Sequence, residues 1–276
     1  MAAYDPIYLT MNDKPAAILR GLDEILERRE SVQQTFTRRS RLPLWLFLAG
    51  FPGILIDLLF FLFGYKLFLF TFLTPLFWIA ALVVLIANRR NKLPNLSPDF
   101  FAAKEMLYTL RDDIDPKRTF FGHLDLTGTR KPEKVARESS NALGLITQYF
   151  RDDWFSLKTR LYDGNMLRLS VLRSEKVRKG YYKRGKISGK SKWKPPKDKG
   201  RLHELKIRIT FNPEVYEEYI IHSLREGMKV GVYTIDAVMN EPGSLILVAS
   251  TQAAGVTASD VLSVLKNSYD MLKRKG

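Results

Sequence analysis

Between Leu42 and Ala87 lie 46 residues with only two charges, Asp57 and Lys66. A run that long and that apolar restricts the fold more than any other feature of the chain. It is too long for one membrane span and about right for two. Gly64-Tyr65-Lys66 divides it into Pro43 to Phe63 and Leu67 to Ala87, 21 residues each. At about 1.5 Å per residue each piece would cover roughly 30 Å, the thickness of a bilayer's hydrocarbon. The expectation is a two-helix transmembrane hairpin.

Basic residues flank the run on both sides: Arg38, Arg39 and Arg41 before it, Arg89, Arg90 and Lys92 after it. Such residues collect on the cytoplasmic side, so both termini are expected in the cytoplasm of an integral membrane protein. Within the hairpin Asp57 falls level with about residue 73, within a helical turn of Thr71 and Thr74. A protonated Asp57 bonded to a threonine, or one paired with a snorkelling Lys66, is the plain structural reading. An oligomer whose Asp57 side chains line a polar path is the functional one.

Ahead of the hairpin, residues 14 to 39 carry Ile18, Leu19, Leu22, Ile25, Leu26, Val32 and Phe36 at helical spacing. The polar face mixes signs, which suits packing on protein better than lying on anionic lipid. Residues 89 to 276 then read as an α+β domain with a mainly antiparallel sheet. Ser97-Pro98-Asp99 starts a helix, and Thr257 with Asp260 has the form of a capping box for a last one. A further helix is expected from Pro132, with Val135, Ser139, Leu143, Ile146 and Phe150 on one face, and another from Pro213. Strands are expected over 120–126, 155–162, 167–171, 205–211, 229–239 and 244–251. A three-residue turn at Asp163-Gly164-Asn165 would set Leu161 opposite Leu167 and Arg160 opposite Arg168. Like charges in that position repel, so an acid or a bound anion is expected nearby.

The chain is strongly basic, with 44 Lys/Arg against 29 Asp/Glu and a net charge of +15. The excess is concentrated. From Arg173 to Arg201 there are thirteen Lys/Arg and two acids. This basic finger, residues 173–201, joins two adjacent strands. The expected anion-, lipid- or partner-binding groups on it are Lys176, Arg178, Lys179, Lys183, Arg184, Lys186, Lys190, Lys192, Lys194, Lys197 and Lys199. Arg160, Arg168, Lys206 and Arg208 on the neighbouring strands extend the field. Anionic lipid, an acidic protein partner and nucleic acid could each use it, with nucleic acid ranked last. A solvated loop is the plain alternative.

Gly189-Lys190-Ser191 looks like the end of a phosphate-binding loop. However, only three residues separate Gly185 from Gly189, and Pro195-Pro196 blocks the helix such a loop needs. The chain has no Cys and three scattered His, so no metal-ligand spacing is present. No cofactor motif or catalytic constellation is visible. The composition therefore points to a membrane-anchored structural or adaptor subunit, working with a protein partner or as a homo-oligomer. An oligomeric pore gated by its cytoplasmic domain is the alternative.

Overall fold

The structure is a computed structural model that describes residues 4–40, 42–49, 51–63, 69–90, 95–185, 189–218 and 224–275. The chain divides into two compact units, Leu22–Pro94 and Met1–Gly21 with Asn95–Gly276. Strand β1 (Tyr8–Asp13) and helix α1 (Pro15–Ser40) open the chain.

The apolar run is where the structure departs most from expectation. It forms α2 (Leu42–Ala49), α3 (Phe51–Leu62) and α4 (Leu69–Arg90). The first expected span is described as helices of 8 and 12 residues on either side of residue 50, which lies outside the described residues. These are roughly 12 and 18 Å long, well short of the hydrocarbon thickness. Helix α4 has 22 residues but contains Pro75 and ends in Asn88-Arg89-Arg90. Among the described residues no helix is long and apolar enough to cross a membrane. The transmembrane hairpin, the integral-membrane placement and the orientation read from the flanking arginines are corrected accordingly. Within this unit α2 packs on α4, and Phe47, Phe51 and Trp78 cluster with ring centroids 5.3 to 6.1 Å apart. Of the expected intramembrane groups, Thr74 is buried. Lys66 and the side chains of Asp57 and Thr71 lie outside the described residues.

The other unit is built on an antiparallel sheet. Helix α5 (Pro98–Arg111) is followed by β2 (Phe120–Asp125), β3 (Val135–Ser140), β4 (Ile146–Arg160) and β5 (Met166–Arg178). Then come β6 (Tyr181–Arg184), β7 (Ser191–Lys194), β8 (Lys197–Thr210) and β9 (Tyr216–Glu218). The chain ends with β10 (Lys229–Val230), β11 (Tyr233–Glu241), β12 (Ser244–Thr251), α6 (Ala258–Tyr269) and β13 (Leu272–Arg274). The main sheet has the order β1-β2-β4-β5-β8-β12-β11-β10, with β3 also paired to β4. Its core face is a set of apolar rows. One runs Phe155–Val171–Leu205–Ala249–Ile235 across five strands, every member fully buried. Helix α6 lies against β8 and β10 and packs on α5.

Both of these helices start as their sequences require. Ser97 caps α5 by accepting from the Asp99 amide at 3.2 Å, and Thr257 and Asp260 form a reciprocal capping box on α6. The helix expected from Pro132 is replaced by one 3-10 turn followed by β3 and the start of β4. Asn141 makes that hairpin: its side-chain oxygen accepts from the amides of Leu143 and Leu145, and Gly144 takes φ +69°. Spacing of three and four residues can be read on a helix. Here the same residues instead pair their backbone groups as an added strand pair, β3 on β4. Residues 213–218, also expected to start a helix, form a turn and β9. Around Gly164 the register differs from the expectation by two residues. Thr159 faces Leu167 and Lys158 faces Arg168. The loop is longer because the Leu161 amide bonds the Asn165 carbonyl at 2.8 Å. A shift of two keeps every side chain on its expected face.

Candidate functional site

The described residues of the basic finger form a ribbon. Strands β5 and β8 pair directly, and the chain between them folds into a second hairpin, β6 with β7. In that hairpin Tyr181 faces Lys194, Tyr182 faces Trp193, Lys183 faces Lys192 and Arg184 faces Ser191. Opposed residues share a face and alternate along each strand. One face therefore carries Tyr181, Lys183, Lys192 and Lys194. The other carries Tyr182, Arg184, Ser191 and Trp193.

The aromatic face stiffens the ribbon. The Tyr182 and Trp193 rings lie 5.0 Å apart. Trp193 also covers Gly180 so closely that a Cβ there would meet its ring at 2.2 Å. On this face Arg184 also donates to the Gly189 carbonyl at 3.2 Å, while on the opposite face Arg178 stacks over Tyr181 at 4.8 Å. The lysine face is different. Lys183 and Lys192 stand directly opposite each other, and neither they nor Lys190, Lys194, Lys197 and Lys199 has an acidic partner among the described residues. All six are exposed. Lys186 lies outside the described residues.

Other expected binding groups are already engaged. Lys179 pairs with Glu138 at 2.8 Å, Lys176 lies over the Tyr149 ring at 5.2 Å, and Arg208 pairs with Glu241 at 3.1 Å. On the open side of the sheet Lys158, Arg168 and Arg208 form a row across three strands. Glu241 relieves only Arg208. Arg160 ends β4 opposite Met166, and Lys206 is exposed on β8 opposite Ser170.

Below the ribbon the sheet's core face changes from apolar to charged. The row after Val171 is Asp152–Arg173–His203–Thr251. Trp154, the extra residue of a bulge in β4, is buried beside it, and Arg173 lies over its ring at 5.8 Å. The charges are paired. Arg173 bonds Asp99 at 2.7 Å, and Lys134 bonds Asp152 at 2.6 Å and Asp125 at 2.9 Å. Buried Glu175 holds Arg130 at 2.7 Å and Arg201 at 2.8 Å, and Arg130 also reaches Asp198 at 2.6 Å. Burial opposes the charge on Lys134, but its two carboxylates outweigh that and keep its pKa above the ordinary lysine value.

His203 is wholly buried, and neither ring nitrogen has a hydrogen-bond partner among the described residues. Burial, with nearby Arg173 adding to it, pushes its pKa down from 6.5 to about 4. The neutral ring is thus the form compatible with the fold. Stability should be flat in this group's contribution above about pH 6.5. It should then fall by up to ~1.4 kcal/mol per pH unit as pH drops toward 4. Urea midpoints measured between pH 7 and 4.5 should show the loss, and His203→Leu should flatten it. An equally steep profile in His203→Leu would assign the loss to other groups.

A cavity of about 500 Å³ is lined by Leu110, Leu161, Leu167, Leu262 and Leu265. Asp112, Asp113, Asp163, Lys266 and Tyr269 are the charged and hydroxyl-bearing groups of its lining. Asp163 is fully engaged there: it accepts from Tyr269, from Tyr216 at 3.1 Å and from the Asn165 side chain at 2.8 Å. This knot joins the β4–β5 turn to α6 and β9. No group of three or more His, Asp or Glu that could hold a metal occurs among the described residues. The chain matches no protein-family model, no curated protein and no solved structure.

Proposed function

We propose that this chain is a binding protein, a structural or adaptor component, that docks a polyanionic partner on its basic ribbon. The observation that carries the reading is Lys183 set directly opposite Lys192 on an ordered hairpin. Opposed like charges weaken a strand pair by a few tenths to about 1 kcal/mol. From Lys179 to Lys197 the sequence offers no acid to relieve them. An external anion would do so. The charged layer at the ribbon's base supports the same reading, because it anchors β5 and β8 through Glu175 and Arg201 while Lys183, Lys192 and Lys194 beyond them keep no acidic partner among the described residues.

The test is binding of the full chain to fluorescein-labelled heparin, used as a generic soluble polyanion. Affinity should fall steeply between 50 and 200 mM NaCl, as it does where counterions are released. Lys183→Gln/Lys192→Gln/Lys194→Gln should weaken it at least tenfold with the far-ultraviolet circular dichroism unchanged. Equal affinity of the folded triple variant and the parent would overturn the proposal.

A further inference from the structure

Resting on that reading, we infer that the polyanion is duplex DNA and that the β6–β7 ribbon is an arm that enters its major groove. Three observations separate this partner from other anions. The first is rigidity. A basic segment needs only charge and proximity to sit on an anionic lipid surface, and an unfolded tail does that well. Here the segment is a hairpin braced by Trp193 over Gly180 and beside Tyr182, with Arg178 over Tyr181. Fixing the shape in advance lowers the ordering cost only if the partner also has a shape to match.

The second is dimension. Two paired strands lie about 4.8 Å apart, and such a ribbon fits the roughly 12 Å width of the B-form major groove. The A-form major groove of duplex RNA is too narrow to admit it. Along β7, Lys192 and Lys194 share a face and stand about 6.7 Å apart, so both can face one wall of the groove. The third is charge of a single sign. From Lys179 to Lys197 there are eight Lys/Arg and no acid. Protein surfaces commonly carry both signs interspersed, whereas a phosphate backbone presents one sign at regular spacing. The lysine face would therefore lie against phosphates along the groove, while Tyr182 and Trp193 hold the ribbon straight from behind. Contacts of this kind position the protein without reading sequence.

Fluorescence anisotropy of the full chain with a labelled 20-base-pair DNA duplex tests this across 50 to 200 mM NaCl. Each phosphate contact contributes about 0.9 to the slope of log affinity against log salt. Lys183→Gln/Lys192→Gln/Lys194→Gln should therefore reduce the slope by about 2.7 and weaken binding at 100 mM NaCl by tenfold or more. Lys183→Arg/Lys192→Arg/Lys194→Arg should retain both. Duplex RNA of the same sequence should bind at least tenfold more weakly than the DNA. Phosphatidylserine vesicles and polyglutamate complete the set. Lysine-dependent binding to either of these, without binding to DNA, would overturn the DNA assignment while the polyanion reading stood. DNA binding with a slope unchanged in the glutamine variant, or duplex RNA bound as tightly as DNA, would overturn it too. Failure to bind heparin, DNA, vesicles and polyglutamate alike would sink both readings.

Discussion

Replacing Glu175 with Leu should destabilise the sheet unit by about 3 kcal/mol or more. The carboxylate is 6% exposed and is the shared partner of two guanidinium groups. Arg130 and Arg201 would be left facing an apolar side chain, and stranding charges in this way costs far more than the pair contributed. Arg130 keeps Asp198, and both arginines retain some access to water at 27% and 33% exposure, so the lower end of the usual 3–5 kcal/mol range applies. The sign of the argument can be checked. If stranded charge causes the loss, Glu175→Leu with Arg130→Met and Arg201→Met should recover most of it in urea unfolding. If the triple variant is no more stable than Glu175→Leu, the bonds themselves contributed the stability. A functional consequence follows from position. Glu175 faces Arg201 next to the irregularity at Lys176 and Val177, three pairs before the β5–β8 pairing ends at Arg178 and Lys197 below the ribbon. Loosening that pair should weaken polyanion binding even though every lysine remains.

The elements that carry their own local chemistry were legible in the sequence. Ser97 with Pro98, and Thr257 with Asp260, declare helix starts because capping needs those side chains at those offsets. The apolar alternation of Leu167, Leu169 and Val171 declares a buried strand face. Register was less legible because it depends on the length of the Leu161–Asn165 loop, and two registers of equal parity bury the same residues. The Pro132 helix was misread because an apolar residue every three or four positions is compatible with either period over a short stretch. The apolar run misled in another way: its length and composition suit two spans, whereas among the described residues no helix is long and apolar enough to cross a membrane.

The candidate site divides along the same line. Its lysines were visible as composition, but their arrangement was not. Lys, Gly and Pro carry little strand propensity, and only Tyr181, Tyr182 and Trp193 hinted at a hairpin. The buried charge layer did leave a signal. The parity of Leu167, Leu169 and Val171 continues through Arg173 and Glu175 to Val177. Extended that far, the alternation puts two charges on the core face, where charges persist only if paired. Their partners Arg130, Lys134 and Asp99 come from distant segments, and nothing local in the sequence associates them.

Gly122→Ala should cost on the order of 4 kcal/mol, at the upper end of what single substitutions do. Gly122 has φ +156°, and a Cβ built on it would lie 1.9 Å from the Ser156 carbonyl oxygen and 2.7 Å from its carbon. Both are backbone atoms of β4, so no rotamer change relieves the clash. Strand β2 must move away from β4, which breaks the pairing of Phe121 to Leu124 with Phe155 to Lys158. The His123 ring, held between Ser156 at 2.9 Å and the Asp153 carbonyl at 2.8 Å, would lose both contacts. Strand β1 pairs with the sheet through β2 and should leave with it. Hydrogen exchange should therefore show lost protection across β1 and β2 and retained protection in β5, β8 and β12. Unchanged protection with a stability loss under 1 kcal/mol would mean that the sheet can open at Gly122 without cost. The same variant separates fold from function. The ribbon springs from β5 and β8, on the far side of β4 from the damage, so polyanion binding should survive a substitution that removes two strands from the sheet.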